Sequence, residues 1–322
     1  MVNQPVLKDI QQAQTRIRSF IHRTPVLTCN TLDDMCGGRL FFKCENFQKA
    51  GAFKIRGACN AVFSLSDREA EKGVATHSSG NHAAALALAA GWRGIKAHVV
   101  MPENAPEVKA AAVRHYGADI VFCKPTLKAR EETLAEVVKQ TGAAIVHPYN
   151  DYRVIAGQGT AALELFEEIG NLDMVIAPVG GGGLISGTAL AASGASPRTA
   201  VFAAEPEGAD DAYRSLLAGR IIPSINPVTI ADGLLTSLGD LTFPIIKNDV
   251  KEIVTVEETA IIKAMRTIWE RMKIIVEPSA AVPLGALMSK RIDIAGKRVG
   301  IILSGGNVDL THVPWMDGDT AS

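Results

Sequence analysis

The sequence lacks an excess of charge of either sign and lacks any long apolar run. Its 322 residues carry 33 basic and 34 acidic side chains, which gives a net charge of −1. Such a balance provides no general basic field for nucleic acid. The longest apolar stretch, around residues 83–90, is far shorter than the roughly 20 residues of a membrane-spanning helix. We therefore expect neither nucleic acid nor a membrane as a partner.

Cysteine is scarce, and its distribution is unlike that of a disulfide or zinc framework. The five cysteines stand at positions 29, 36, 44, 59 and 123, and none belongs to a C-x-x-C pair. An odd number without close pairs indicates reduced thiols, which predicts a cytoplasmic protein. The first residues show no signal-peptide core, in agreement with that expectation.

What the sequence does contain is an alternation of strand-like and helix-like segments. Runs rich in Val and Ile recur at residues 40–44, 74–77, 97–101, 119–123, 143–147, 174–179, 200–204, 252–256 and 299–303. Several are apolar throughout, as is typical of strands that helices cover on both faces. One helix-like period follows Thr255-x-x-Glu258, which has the spacing of a capping box. The pattern predicts an α/β fold with parallel sheets.

Four consecutive glycines, Gly180 to Gly183, lie between a strand-like run and a helix-like run. Backbone N–H groups ahead of a helix N-terminus favour an anion, and a flexible turn is the alternative. No Lys-Ser/Thr pair follows, so the segment is not a Walker loop. Four glycines at this junction predict phosphate binding.

Lys54 stands between two apolar residues, Phe53 and Ile55, in a segment that glycines flank. A lysine in such a sequence is usually a surface group whose stem packs on apolar neighbours. Here the apolar neighbours and the adjacent Arg56 are both expected to disfavour the ammonium form. Because a neutral amine can form a Schiff base with a carbonyl compound, Lys54 is a candidate attachment point for an aldehyde cofactor.

Polar residues after other strand-like runs provide further candidates. Ser79 and Asn81 either cap the following helix or hold a substrate carboxylate, and the pattern leaves both open. Ser304 either belongs to a glycine turn or hydrogen-bonds a heterocyclic nitrogen, which it would not keep protonated as an aspartate would. Glu205 and Asp211 belong to an acidic loop that is either solvated or holds a hydrated cation such as Mg²⁺.

Together these segments resemble the serine racemase and serine/threonine dehydratase family of pyridoxal-phosphate enzymes. The matching motifs run in the family's order from about Leu7 to Leu310: K-A-G-A-F-K-I-R-G-A, S-S-G-N-H, G-Q-G-T, G-G-G-G-L, A-E-P-E-G-A-D-D, I-A-D-G, V-E-P-S-A and L-S-G-G-N-V-D-L. The resemblance implies the α/β fold of fold-type-II enzymes, similar to tryptophan synthase β, with two open, mostly parallel twisted sheets flanked by helices. It also implies a large cofactor-binding domain over residues 1–66 and 152–322, and a small domain over residues 73–150 that closes over the active site.

The resemblance further implies which residues contact pyridoxal 5′-phosphate. The set is Phe53, Lys54, Asn81, Gly180, Gly181, Gly182, Gly183, Leu184 and Ser304. Lys54 would carry the cofactor as a Schiff base, with Phe53 beside the ring. Asn81 would contact the 3-hydroxyl, Ser304 would face the ring nitrogen, and the glycines with Leu184 would hold the phosphate.

Substrate and metal contacts are implied in the same way. The substrate set is Ser78, Ser79, His82, Arg130 and Tyr149, and the metal set is Glu205, the carbonyl of Ala209 and Asp211. The metal would be Mg²⁺, Mn²⁺ or Ca²⁺. Lys54 would remove the Cα proton, and Ser79 would act on the opposite face in racemisation. An arginine at position 130 would pair bidentately with a second carboxylate.

The activity that the resemblance implies is β-elimination, by dehydration and deamination, of serine, threonine or 3-hydroxyaspartate to a keto acid and ammonia, together with serine racemisation. Residues 78–82 are similar to racemases and to 3-hydroxyaspartate dehydratases, whereas threonine dehydratases usually have alanine in place of Ser79. Residues 49–54 and Ala83-Ala84 resemble plant and fungal members more closely than animal racemases. A dedicated 3-hydroxyaspartate ammonia-lyase or a catabolic threonine dehydratase is the alternative. The substrate is thus a small amino acid, and the family habit predicts a homodimer.

Other classes fit the sequence less well. A nicotinamide-dependent oxidoreductase needs a G-x-G-x-x-G turn and an acidic residue after the next strand, and neither is convincing here. A catalytically silent binding protein has no need of Lys54. Cysteine-synthase-like β-replacement uses the same fold and would require a second, nucleophilic substrate.

Overall fold

The computed structural model describes residues 3–105 and 107–316, which form two separate β-sheets with flanking helices. The strands of these residues are β1 (Val26–Leu27), β2 (Arg39–Cys44), β3 (Val74–His77), β4 (Ala97–Pro102), β5 (Asp119–Cys123), β6 (Ala144–Ile145), β7 (Met174–Pro178), β8 (Ala200–Pro206), β9 (Glu252–Val256) and β10 (Arg298–Leu303). Every predicted run overlaps one of them. Only β1 has no predicted counterpart, because two residues show no periodicity.

Helices follow most strands in the described part of the chain. They are α1 (Leu7–Ile17), α2 (Asn30–Cys36), α3 (Lys54–Phe63), α4 (Asp67–Ala70), α5 (Asn81–Arg93), α6 (Glu107–His115), α7 (Leu127–Thr141), α8 (Tyr152–Ile169), α9 (Gly183–Ala195), α10 (Asp211–Ala218), α11 (Thr242–Asp249), α12 (Glu258–Met272) and α13 (Pro278–Met288). None of the described helices combines the length and apolar character that crossing a bilayer requires.

The larger sheet has the strand order β1-β2-β10-β7-β8-β9, and every pair except β1–β2 is parallel. Successive residues of β10 enter different cores: Ile301 packs with α2, α12 and α13, and Ile302 packs with α1, α8, α9 and α11. Both faces are therefore covered, which explains why these strands are apolar throughout.

The smaller sheet has the order β5-β4-β3-β6 and is entirely parallel. Its strands come from residues 74–145, and those of the larger sheet come from residues 26–44 and 174–303. The prediction of two open, mostly parallel sheets is confirmed. The domain boundaries that the resemblance implies remain a prediction.

The capping box predicted at Thr255 and Glu258 is wrong. Thr255 lies inside β9, and the N-cap of α12 is Glu257, which makes no side-chain cap. Glu258 instead accepts hydrogen bonds from the Thr229 hydroxyl at 3.1 Å and from the backbone N–H of Ile230. The motif failed because a distant loop supplies a partner that local spacing cannot reveal.

A topological switch point lies between β7 and β10 in the larger sheet. From β7 the chain proceeds outward to β8 and β9, and it then returns to β10 on the other side of β7. Ligands of open parallel sheets bind in the crevice at the carboxyl ends of such strands. The loop after β7 contains Gly180 to Gly183, and the residue after β10 is Ser304. Both sets of candidates therefore border one crevice.

Candidate active site

Lys54 is the first residue of α3, and its amine points back toward the end of the smaller sheet. The amine donates a hydrogen bond to the carbonyl of Pro148 at 2.9 Å and lies 5.1 Å from the centre of the Phe53 ring. The backbone N–H of Phe53 donates to the carbonyl of Ser304 at 3.0 Å. The helix start that carries the lysine is thus attached to the end of β10.

Burial lowers the pKa of Lys54 to about 8, and the negative charge of Glu277 acts in the opposite direction. A substantial fraction of the amine is therefore neutral near pH 7 to 8, as nucleophilic attack on a carbonyl requires. The expectation that Arg56 disfavours the ammonium form is wrong. Its guanidinium points into the interior, where Glu45 and Glu164 neutralise it.

Four buried charges anchor the helix that begins with Lys54. Arg56 pairs with Glu45 at 2.6 Å and with Glu164 at 2.8 Å, and Lys43 pairs with Glu164 at 2.6 Å. All four side chains are buried. Two cations and two carboxylates balance, so the network ties α3 to β2 and α8 without a net buried charge. We call Lys43, Glu45, Arg56 and Glu164 the buried tetrad.

The four glycines form a tight loop that enters α9. A Cβ on Gly180 would lie 2.9 Å from the Cα of Leu234, and one on Gly181 would collide with the Tyr149 ring. Gly182 is the N-cap of α9, has φ +91°, and provides no side-chain cap. The N–H groups of the first turn therefore lack a side-chain acceptor, which is the arrangement that binds phosphate.

Tyr149 connects the lysine to this loop. Its neighbour Pro148 accepts the hydrogen bond from the Lys54 amine, and its own ring packs against Gly181. Burial raises the pKa of Tyr149 to about 12, so the phenol stays neutral. The ring of Tyr149 thus braces the glycine loop, and its contact with substrate remains a prediction.

Asn81 begins α5, a third helix whose N-terminus faces the site. The N-cap is Gly80 without a side-chain hydrogen bond, so the alternative that Ser79 or Asn81 caps this helix is wrong. The Asn81 carboxamide instead bonds to Glu277 and Asn307. Because Glu277 also donates its N–H to Gly305, directly after Ser304, Asn81 and Ser304 lie at the same site.

The chemical class of this site follows from the family to which the sequence is matched. The family model described as "Pyridoxal-phosphate dependent enzyme" matches residues 17–305. The chain belongs to this pyridoxal-phosphate-dependent enzyme family. The fold is that of its fold-type-II members. The matched residues include Lys54, Gly180 to Gly183 and the strands β7 and β10 of the switch point.

Named relatives of this pyridoxal-phosphate enzyme cover nearly its whole length. It is 55% identical to the beta-hydroxyaspartate dehydratase of Paracoccus denitrificans, over 97% of this chain and 99% of that protein. It is 54% identical to the serine racemase of Dictyostelium discoideum, over 95% and 96% of the two chains. The solved structure of maize serine racemase superposes with a TM-score of 0.95 at 48% identity, covering 98% of this chain and 97% of that one.

The residues present fit pyridoxal phosphate. The cofactor's aldehyde needs a neutral amine, which Lys54 provides, and its phosphate needs uncapped N–H groups, which the start of α9 provides. Phe53 and Ser304 adjoin Lys54 through the backbone contact described above. Leu184, in the first turn of α9, is buried in the core beside Val179.

Residues 78–82 differ in burial and in hydrogen bonding. Ser78 and Ser79 are partly exposed, whereas His82 is buried, with its Nε2 3.1 Å from the carbonyl of Val146. Burial holds the pKa of His82 well below its usual range. Its ring is thus neutral and faces the interior, and its buried Nδ1 has no hydrogen-bond partner among the described residues. Substrate binding by His82 remains a prediction.

Arg130 lies in the first turns of α7, near the end of the smaller sheet. Its buried Nε has no hydrogen-bond partner among the described residues. Its charge helps burial to lower the pKa of His77, the last residue of β3. The rings of His77 and His147 stand edge to face at 5.5 Å. Sequence reasoning missed both histidines, since neither belongs to a recognisable motif.

The metal candidates form a second cluster at the end of β8. Glu205 accepts N–H bonds from Ala212 and Tyr213, both at 2.9 Å, and is fully buried. Both oxygens of Asp211 are buried without a hydrogen bond of normal geometry to the described residues, although the Ser224 hydroxyl is near enough to lower the pKa of this carboxyl. Burial raises the pKa of Glu205 to about 9 and that of Asp211 to about 6. The alternative that these two carboxylates are solvated is therefore wrong.

Two carboxylates and a carbonyl are fewer protein ligands than a dedicated metal cage contains. No group of three or more His, Cys, Asp or Glu side chains suited to a metal occurs in residues 3–105 and 107–316. Ala209 is in a short 3₁₀ turn between Glu205 and Asp211. The orphaned oxygens of Asp211 nevertheless fit a largely hydrated hard cation.

Sequence reasoning also missed two residues that hold Asn81. Glu277 and Asn307 belong to the matched motifs V-E-P-S-A and L-S-G-G-N-V-D-L, yet neither received a role. The available signal was the position of Glu277, which follows three apolar residues and precedes Pro278. An acid in such a segment is expected to be buried and therefore to need a partner.

Proposed function

We propose that this enzyme uses pyridoxal phosphate to convert a β-hydroxy amino acid to a keto acid and ammonia, and that it also racemises serine. The β-hydroxyl leaves as water, and hydrolysis of the resulting enamine takes up one water and releases ammonia. The observation that carries the proposal is the position of the Lys54 amine, whose pKa is lowered. The amine is bonded to the carbonyl of Pro148, and the ring of the next residue, Tyr149, packs on the glycine loop. Relatives named serine racemase and beta-hydroxyaspartate dehydratase support the reaction class.

The protein's own residues would bind the cofactor at three points. Gly180 to Gly183 and Leu184 would hold the phosphate at the start of α9, Asn81 would contact the 3-oxygen, and Ser304 would contact the ring nitrogen. When bound, pyridoxal phosphate supplies an electron sink for the pair left at Cα. A serine at the ring nitrogen does not keep it protonated, which weakens that sink and favours rapid loss of the β-hydroxyl.

Proton transfer falls to two side chains on opposite faces of the substrate. The Lys54 amine takes the Cα proton from one face, because desolvation lowers its pKa and so increases the neutral fraction that can act as a base. Ser79 returns a proton on the other face in racemisation. The substrate carboxylate lies at the N-terminus of α5, held by Ser78, Ser79 and the backbone N–H of His82.

A narrower function, 3-hydroxyaspartate ammonia-lyase with little racemisation, is favoured by Arg130. Its unpartnered Nε is suited to a second carboxylate, which serine and threonine lack. Relatives in Paracoccus denitrificans and Saccharomyces cerevisiae are named for hydroxyaspartate. Arg130→Gln should then raise KM for 3-hydroxyaspartate at least tenfold, by loss of a charged hydrogen bond, and leave KM for serine nearly unchanged.

A catabolic threonine dehydratase is the remaining alternative. A solved threonine deaminase from T.th. superposes with a TM-score of 0.89 at 46% identity, over 95% of this chain and 99% of that one. Ser79 argues against this function, since threonine dehydratases usually have alanine there.

We also propose a divalent cation, Mg²⁺ or else Mn²⁺ or Ca²⁺, at Glu205, the Ala209 carbonyl and Asp211. The buried, unpartnered oxygens of Asp211 support it.

A homodimer is proposed from the family habit, and light scattering of the purified protein tests it. The five free thiols support a reducing, cytoplasmic setting.

The decisive experiment combines one variant with a substrate panel. Lys54→Ala should lose the yellow colour of the bound cofactor and all turnover of L- and D-serine, L-threonine and the 3-hydroxyaspartate isomers. The control is Lys49→Ala, whose amine lies over Trp92 at 5.1 Å from the ring centre. A yellow, active Lys54→Ala protein would refute the proposal.

A further inference from the structure

The carboxamide of Asn81 is held on both sides by fixed partners. Its Nδ2 donates to the two oxygens of Glu277 at 3.2 and 3.0 Å, and its Oδ1 accepts from Nδ2 of Asn307 at 2.9 Å. Rotating the amide by 180° would oppose Oδ1 to a carboxylate and Nδ2 to another NH₂ group. Both contacts would be repulsive, so the network assigns the orientation.

Each outer partner is itself anchored. Glu277 is the N-cap of α13, is 3% exposed, and donates its backbone N–H to the carbonyl of Gly305 at 3.0 Å. A Cβ on Gly305 would lie 2.7 Å from Oε1 of Glu277, so glycine makes room for the carboxylate. Asn307 donates from the same Nδ2 to the carbonyl of Ala50 at 2.8 Å. Asn307 therefore cannot turn its amide without breaking this second bond, and the backbone bond of Glu277 fixes the start of α13 from which its carboxylate extends.

The fixed orientation determines what Asn81 can offer to a ligand. A carboxamide nitrogen carries two hydrogens, and the carboxylate of Glu277 engages one of them. The remaining hydrogen makes Asn81 a donor on its free side. A donor facing the cofactor's 3-oxygen stabilises that oxygen as an anion, whereas an acceptor would require it to remain protonated.

We propose that Glu277 and Asn307 are positioning residues that lock Asn81 as a hydrogen-bond donor to the 3-oxygen of pyridoxal phosphate. The inference rests on the proposed role of Asn81 and deepens it, since it names the group that sets the cofactor's ionisation. Neither Glu277 nor Asn307 needs to touch the cofactor. Their effect passes through the amide between them.

The first test is Glu277→Gln, compared with Glu257→Gln, whose side chain is 63% exposed. The glutamine has one acceptor oxygen where the carboxylate had two, and its NH₂ group opposes that of Asn81 unless the Asn81 amide turns. Burial raises the pKa of Glu277 to about 7, so the comparison is made at pH 8, where the carboxylate is charged. We expect about tenfold weaker cofactor affinity there, from loss of a charged hydrogen bond. The absorbance of the bound cofactor should also shift to shorter wavelength, because the anionic 3-oxygen loses its donor. The control should keep both values.

The second test is Asn307→Asp, at an exposed position where folding should be preserved. An aspartate only accepts, so it opposes Oδ1 of Asn81 and should produce the same spectral shift. If Glu277→Gln fails to fold, this variant decides the question alone. Wild-type absorbance and affinity in a folded variant would overturn the positioning role. Failure of the wild-type protein to bind pyridoxal phosphate at Lys54 would instead overturn the proposed function.

Discussion

At the scale of single residues, the environment of Lys54 matters more than its neighbours in sequence. Desolvation lowers the pKa of its amine, while Arg56, the cation closest in sequence, is neutralised by two carboxylates. The Pro148 carbonyl holds the amine without adding charge. The Lys54 amine therefore has both a lowered pKa and a fixed orientation.

The first prediction concerns the pH dependence of cofactor uptake by the apo protein. Only the neutral amine attacks an aldehyde, and the pKa of Lys54 is about 8. The rate of Schiff-base formation should thus rise about tenfold per pH unit below that value and level off above it. Stopped-flow absorbance after adding pyridoxal phosphate measures this rate. A rise that continues to pH 10 would mean that the amine is solvated.

The second prediction separates two activities at Ser79. Ser79→Ala removes the proposed acid–base group on one face of the substrate and leaves Lys54 on the other. Racemisation of L-serine should fall by a factor of about 10² or more, whereas dehydration of L-substrates should persist. Chiral chromatography and keto-acid release measure the two rates on the same sample. Equal retention of both would leave Ser79 without this role.

At the scale of secondary-structure elements, the buried tetrad fixes α3 against α8. Glu164 contacts both Arg56 and Lys43, so its loss leaves two cations buried without their shared partner. Close approach of the two helices also needs glycine, since a Cβ on Gly157 would lie 2.6 Å from the Cα of Gly57.

The third prediction tests this network by unfolding in urea. Glu164→Gln should lower the free energy of unfolding by about 3–5 kcal/mol, as for a broken buried ion pair. The control lies on the same helix: Glu167→Gln removes an ion pair with Arg23 whose side chains are 52% and 40% exposed. That change should cost no more than about 1 kcal/mol. Similar losses in the two variants would contradict a special role for the tetrad.

The fourth prediction concerns the glycine loop before α9. Gly181→Ala should abolish cofactor binding, because the added methyl group must displace the Tyr149 ring, which follows the residue that holds the Lys54 amine. Gly91→Ala, in α5, is the matched control, since the nearest atom to its added methyl group would be the Tyr116 carbonyl oxygen at 3.7 Å. Fluorescence titration with pyridoxal phosphate measures both. An unchanged affinity in Gly181→Ala would show that the loop has room to spare.

At the scale of the whole molecule, strand order brings distant segments to one crevice. Lys54, Gly181 and Ser304 are far apart in the chain, yet they border the switch point between β7 and β10. Glu205 lies near the end of β8, the next strand, and Ala209 and Asp211 follow that strand, so a cation there would bind beside the glycine loop rather than within it.

The fifth prediction tests that cation through global stability. Ligand at 100 times its Kd stabilises the folded state by about 2.7 kcal/mol, so saturating Mg²⁺ should raise the melting temperature by roughly 5 °C. Asp211→Asn should abolish this increase, and the exposed Asp119→Asn should not. Calorimetry with and without chelator measures it. A shift that survives in Asp211→Asn would place the cation elsewhere.

The sequence by itself determined the α/β class, the strands and the candidates Lys54 and Gly180 to Gly183. Apolar runs, glycines and a lysine among apolar residues are local signals, because they reflect burial and backbone freedom at their own positions.

Only the tertiary structure decided which groups act on those candidates. The partners of Arg56, the anchor of Asn81 and the true contact of Glu258 all lie far away in the chain. Desolvation, hydrogen bonding and charge pairing depend on distance in space, and the folded chain sets that distance independently of separation in sequence.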